Sequence, residues 1–173
     1  DLYKKGEYKP YTYEELLKVM TEIMPLTPRY CRLTRIVRDI PSTDIVAGNK
    51  LTNFRQIAEL ELERTEKKCQ CIRCREIKGK SISEEDLELE KIEYLTEVGK
   101  EIFISYKTKS EDKIIGFLRL SLPKKSLVKN HFIEELRDSA MIREVHVYGS
   151  VVDVGIKQSQ KSQHLGIGTK LVK

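Results

Sequence analysis

Met141-Ile142-Arg143-Glu144-Val145-His146-Val147-Tyr148, followed after a polar stretch by Gln163-His164-Leu165-Gly166-Ile167-Gly168-Thr169, decides how this chain is read. The first run has the period-two pattern of a strand: Ile142, Glu144, His146 and Tyr148 share one face, while Met141, Arg143, Val145 and Val147 share the other. A Glu, His and Tyr stripe is expensive in a core, where an unpaired charge is costly. It suits a cleft in a central strand, with Glu144 as a general base tuned by burial and His146 and Tyr148 beside it as candidate catalytic residues. An edge strand with a solvated polar face is the alternative. The second run is a Q-x-x-G-x-G loop expected to open a helix at Gly166-Ile167-Gly168. Glycines let the backbone approach a pyrophosphate, and the first-turn N–H groups then face the anion. A flexible turn whose glycines merely break the chain is the other reading.

Three more strand-like runs precede this pair, over Ile92–Val98, Glu101–Lys107 and Lys113–Leu122, and Thr108-Lys109-Ser110-Glu111-Asp112 joins the last two as a hairpin. Upstream, Thr12 is a possible N-cap with Glu15 at N3 and Leu16, Leu17, Met20 and Ile23 following, the signature of a helix that Pro25 and Pro28 should end. Tyr30 to Ile40 alternates like a strand carrying an arginine ladder, and Asn53 to Lys68 carries a second helical pattern. The character changes after Gly79, which sets an expected boundary near residue 80 within an α/β chain.

Cys69-Gln70-Cys71-Ile72-Arg73-Cys74 puts three thiols in one short loop. Thiolates hold Zn²⁺ at about 2.3 Å in tetrahedral sites, and the flanking Lys67, Lys68, Arg73 and Arg75 favour thiolate. Cys69, Cys71 and Cys74 are therefore candidate metal ligands, for structural zinc ahead of an iron–sulfur cluster, with free thiols in a basic loop as the remaining reading. Cys31 is equally at home in a core. Near the start, Lys5, Lys9, Arg32, Arg35 and Arg38 interleave with Tyr3, Tyr8, Tyr11, Tyr13 and Tyr30. Cations neutralise phosphates and rings stack unpaired bases, so the mixture suits RNA better than duplex DNA, against a solvated lysine surface with tyrosines packed beneath it.

The chain has 173 residues, 39% hydrophobic and 34% charged, enough for a packed core under a very polar surface. No apolar run approaches the roughly 18 residues of a membrane span, and no leader opens the chain, so a membrane or secreted protein is not expected. A formal net charge of +5 is mild. Four cysteines, three of them clustered, are no disulfide framework and point to a reducing, cytoplasmic setting. The chain opens inside a polar aromatic segment and closes in the first turns of a helix, so a piece of a longer protein is expected.

Tyr8-Lys9-Pro10-Tyr11, Arg35-Ile36-Val37-Arg38-Asp39-Ile40-Pro41, Cys69-Gln70-Cys71-Ile72-Arg73-Cys74-Arg75-Glu76 and Met141–Gly149, in this order, resemble the catalytic subunit of Elongator, a family of tRNA wobble-uridine modifying enzymes with archaeal and bacterial single-protein versions. The resemblance implies the C-terminal elements of a radical-SAM partial α/β barrel over 1–57, a zinc-binding linker over 58–84, and the first part of a GNAT-type mixed α+β acetyltransferase domain over 85–173. It implies acetyl-CoA contacts at Val145, His146, Val147, Gln163, His164, Leu165, Gly166, Ile167, Gly168 and Thr169, and a tRNA surface at Lys5, Lys9, Tyr11, Arg32, Arg35 and Arg38. The implied reaction activates the acetyl methyl through SAM and a 4Fe–4S cluster, attaches it to C5 of the wobble uridine and hydrolyses the thioester, leaving a carboxymethyl group. The cluster ligands are expected upstream of Asp1 and a further catalytic tyrosine beyond Lys173. Arg75-Glu76-Ile77-Lys78-Gly79 holds no histidine, so no fourth zinc ligand is assigned, and Cys31 is not given to the metal.

The expected function is thus a tRNA uridine acyltransferase, in a homodimer or an Elongator-like complex, with no DNA partner. A lysine acetyltransferase acting on protein tails and a non-catalytic zinc- and RNA-binding module are the competing classes. Peptide acetylation separates the first from the leading reading, and a lack of any acetyl-CoA affinity separates the second.

Overall fold

A computed structural model of the chain describes residues 2–36, 41–80, 82–149 and 166–173. It divides into two compact units, Asp1–Cys74 and Arg75–Lys173.

The first unit is helical. Thr12 caps α1 (Tyr13–Leu26): its Oγ1 accepts from the Glu15 N–H at 3.2 Å, and Glu15 Oε2 accepts from the Thr12 N–H at 2.8 Å. This reciprocal capping box is the one that Thr12 and Glu15 predict. The helix runs one residue past Pro25, because a proline in the last turn removes only a terminal hydrogen bond, and the Thr27 N–H closes it on the Met24 carbonyl at 3.3 Å. Met24 packs with Phe54, Ala58 and Leu62 of α2 (Phe54–Arg64) and with Ile36, and Tyr13 meets Phe54 edge to face at 5.9 Å. The run over Tyr30–Ile36 is not a strand; 37–40 lie outside the described residues. Its carbonyls bond elsewhere. Leu33 accepts from Arg55, Thr34 from Arg73, and Cys31 from the N–H of Ile72. With those acceptors taken and Ile36 drawn into the helical core, no ladder forms. The cysteine loop ends in a short helix, α3 (Ile72–Arg75).

The second unit is an antiparallel sheet of β1 (Leu87–Leu95), β2 (Gly99–Thr108), β3 (Ile114–Pro123) and β4 (Met141–Val147), in that order across the sheet. β1 begins earlier than its apolar run suggests. Glu88 sits opposite Lys107, whose ammonium also reaches Asp112 (3.1 and 3.2 Å), so cross-strand ion pairs carry the acidic stretch into the sheet. The buried Arg75 joins this cluster through Glu90 (3.4 Å) and Asp112 (3.5 Å). The β2–β3 turn falls where Thr108–Asp112 predicts it. A short helix, α4 (Lys125–Val128), lies in the β3–β4 connection. The chain's last helix, α5 (Ile167–Val172), packs on β3, β4 and β2.

Gly116 makes that packing possible. A Cβ there would lie 2.9 Å from Ile167 Cγ2 and 3.0 Å from the His146 carbonyl oxygen, and Ile167 is fully buried. Gly116→Val should therefore force α5 off the sheet and cost roughly 1–3 kcal/mol, the usual penalty of overpacking. Urea unfolding monitored by circular dichroism measures it, and a midpoint equal to wild type would refute the contact.

Candidate functional site

In the cysteine loop, the Sγ atoms of Cys69, Cys71 and Cys74 all lie within 4.8 Å of one another, with Cys71 buried and the other two half-buried. The chain turns tightly here: the Cys74 N–H donates to the Cys71 carbonyl at 3.0 Å, and the Ile72 N–H donates to the Cys31 carbonyl at 2.9 Å. Hydrogen bonds from the Cys69 and Cys74 thiols hold the Cys71 thiol far below its ordinary range. A thiolate flanked by two further sulfurs is the donor set of a soft or borderline metal. Tetrahedral thiolate ligands at about 2.3 Å from one ion stand roughly 3.8 Å apart, so the three sulfurs fit around a single metal after a small closure. Among the described residues, no fourth His, Cys, Asp or Glu joins the group, and Cys31 stays outside it.

Arg55 of α2 is a neighbour of this loop that residue patterns do not announce. Its Nη2 reaches Cys74 Sγ at 3.1 Å and Cys71 Sγ at 3.7 Å, and its Nε donates to Glu59 Oε1 at 2.7 Å. Burial works against the guanidinium charge, but the hydrogen bonds to Glu59 and the Cys71 sulfur outweigh it and raise the pKa.

On β4, alternation holds from Glu144 to Val147, but a register shift between Arg119 and Leu120 sets Ile142 opposite Leu120 and so off the Glu144 face. The strand lies at the sheet's edge among the described residues rather than in its centre, and every residue but Val147 is exposed. Glu144 is 46% exposed and its Oε2 accepts from Arg119 Nε at 3.0 Å, so the expected burial of this carboxylate is not found. Arg119 Nη1 donates to the Tyr94 hydroxyl at 3.0 Å, Tyr94 donates to Glu101, and Arg143 pairs with the other Glu101 oxygen. His146 stacks on Phe117 at 5.9 Å and meets Tyr148 at 4.4 Å, with Tyr148 itself buried. The register places Glu144 opposite Arg119 and His146 opposite Phe117 on one face, and Val145 and Val147 opposite Leu118 and Gly116 on the other. Arg119, with Tyr94 and Glu101 behind it, was not legible as a neighbour of Glu144, because only register across four strands brings these residues together.

Gly166 is the N-cap of α5 in the left-handed conformation, φ 63°, where a side chain would be strained. A Cβ on Gly168 would meet only Val147 Cγ2 at 3.6 Å, and Thr169 is exposed. The glycine helix thus sits on the Val147 side of β4, and Glu144 and His146 project from the opposite face. Gln163, His164 and Leu165 lie outside the described residues. Of the basic and aromatic positions near the start, Lys5, Lys9, Tyr11, Arg32 and Arg35 are exposed, and Arg38 lies outside the described residues.

Residues 1–66 match the family model described as the radical-SAM C-terminal domain. Over 180 residues the chain is 37% identical to the protein named tRNA uridine(34) acetyltransferase of Methanocaldococcus jannaschii, covering 99% of this chain and 32% of that protein. It is 34% identical over 176 residues to the Elongator complex protein 3 of Schizosaccharomyces pombe, covering 99% and 32%. The solved structure of an N-terminally deleted archaeal Elp3 from Methanocaldococcus infernus superposes with a TM-score of 0.77 at 31% identity, covering 99% of this chain and 41% of that one. Along nearly its whole length the chain is thus similar to proteins of the Elongator catalytic-subunit type, and it spans about a third of the length of those two curated relatives. No helix of the described residues is long and apolar enough to cross a membrane.

Proposed function

We propose that this chain is part of a cytoplasmic tRNA-modifying acyltransferase that takes its acyl group from acetyl-CoA and builds a carboxymethyl group at C5 of the wobble uridine. The observation that carries the reading is end-to-end similarity to proteins named for acetyl transfer to uridine 34, joined with a β-strand and glycine-capped helix of the kind that cradles a pyrophosphate. In this reading, residues 1–57 close the radical-SAM domain, 58–84 form a zinc linker, and 85–173 form the acetyl-CoA domain of GNAT type. Cys69, Cys71 and Cys74 hold the zinc, which supplies structural cross-linking rather than chemistry. The amides of Ile167, Gly168 and Thr169 grip the coenzyme A diphosphate. Val145 and Val147 line the pantetheine side, and Glu144, beside His146 and Tyr148, orients a water or accepts its proton. The exposed Lys5, Lys9, Tyr11, Arg32 and Arg35 form part of the tRNA surface. SAM and the 4Fe–4S cluster serve the radical step, to which no residue of this chain is assigned.

Gly168→Asp tests the loop. A Cβ is sterically admissible at this position, so the substitution acts mainly by setting a carboxylate against the diphosphate. In the intact protein it should abolish acetyl-CoA binding in calorimetric titration, while Gly168→Asn, of similar size but neutral, retains measurable affinity. Normal binding by the Asp variant would remove the loop from the site.

A further inference from the structure

α2 turns Arg55 and, one helical turn later, Glu59 toward the cysteine loop. Three contacts fix the guanidinium: Nε on Glu59 Oε1 at 2.7 Å, Nη1 on the Leu33 carbonyl at 2.6 Å, and Nη2 on Cys74 Sγ at 3.1 Å, with Cys71 Sγ at 3.7 Å. The Arg55 side chain is 12% exposed. A guanidinium this sheltered needs anions or oriented acceptors around it, and its planar fork spends its donors here on a carboxylate, a carbonyl and two sulfurs. A divalent ion on three thiolates leaves one negative charge uncompensated, and that charge resides on sulfur, where Nη2 already lies. Glu59 Oε1, although 3.6 Å from Cys74 Sγ, is engaged by Arg55 and falls outside the close-set group of ligand atoms.

We propose that Arg55, held in place by Glu59, is the outer-sphere partner of the cysteine metal site: it donates N–H···S hydrogen bonds to the Cys71 and Cys74 thiolates and sets a cationic group against the charge that the metal leaves on them. The proposal rests on the reading of the triad as a metal site. Arg55 is a positioning residue, since it acts on the metal through the sulfurs, and such partners change metal affinity by about 10–100-fold. Its hydrogen bonds lower the energy of the sulfur lone pairs and so raise the energy of thiolate-to-metal charge transfer.

The test loads the intact protein with cobalt(II) and reads the near-ultraviolet charge-transfer band and the visible d–d bands, with zinc affinity measured by competition against a chromophoric chelator. Arg55→Gln should move the charge-transfer band to lower energy, leave the d–d bands in place, and weaken zinc about 10–100-fold. Glu59→Gln, which frees the guanidinium, should move both readouts the same way by less. If Arg55→Gln does not fold, Arg55→Lys, which keeps the charge but loses the fork, should give the intermediate shift. An unmoved charge-transfer band in every Arg55 variant that folds overturns the proposal. Altered d–d bands in Glu59→Gln would instead make the carboxylate a ligand and overturn it too. Failure of the wild type to bind either metal removes the metal reading itself, a result distinct from unchanged spectra in a protein that does bind.

Discussion

Cys71→Ser should yield protein without stoichiometric metal. Cys71 is the fully buried member of the triad and the sulfur most inclined to be thiolate. Serine offers a poor ligand, so zinc affinity should fall by more than the ~100-fold typical of losing an outer-sphere partner. The hydroxyl left in a buried setting adds a further penalty of about 1–3 kcal/mol. Stability should drop with it, because Cys69 packs against the Met24, Phe54, Ala58 and Leu62 core and the loop carries α3. A metal bound only by the native state stabilises by mass action, and for structural zinc in finger peptides the apparent gain reaches about 10–16 kcal/mol. Elemental analysis and a thermal melt measure the effect, and chelation of the wild type should lower the melting temperature in the same direction. A Cys71→Ser protein with full metal content and an unchanged melt would show that the triad is not the metal site.

Phe117→Ala should cost about 3–5 kcal/mol, the range for emptying a fully buried aromatic position. Phe117 is 1% exposed, and its ring contacts Phe103 at 5.1 Å, His146 at 5.9 Å and Tyr148 at 6.2 Å, with the Arg119 guanidinium 5.6 Å away. The loss is therefore not confined to the core. The same ring supports His146 and the arginine that holds Glu144, so β4 should lose order along with stability. Urea unfolding gives the first quantity, and amide hydrogen exchange along Met141–Val147 gives the second. A change below 1 kcal/mol (an order of magnitude set by ordinary surface substitutions) with unaltered β4 protection would contradict this packing.

Local chemistry was legible wherever one short stretch of chain carries all of it. Thr12 and Glu15 form their capping box within three residues of each other, and Thr108–Asp112 turns the chain where its polar run says it should. Cys69, Cys71 and Cys74 converge because their spacing leaves them little choice. The Tyr30–Ile36 run misleads in the opposite way. Alternation is a necessary pattern for a strand, but a strand also needs a partner with free backbone groups, and Arg55, Arg73 and Ile72 take the carbonyls first.

The amino-acid order by itself determined the α/β class, the gathering of three thiols in one loop, and a run of strands followed by a glycine-capped helix. Periodicity and turn chemistry act over a few residues, and those features need no more than that. Only the tertiary structure decided that β4 lies at the edge among the described strands, that Glu144 answers to Arg119 and not to burial, and that Arg55 stands over the cysteine sulfurs. Each of these depends on which distant segment supplies the neighbour. Strand register and helix packing settle that through contacts spread over the whole unit, so no local pattern encodes it.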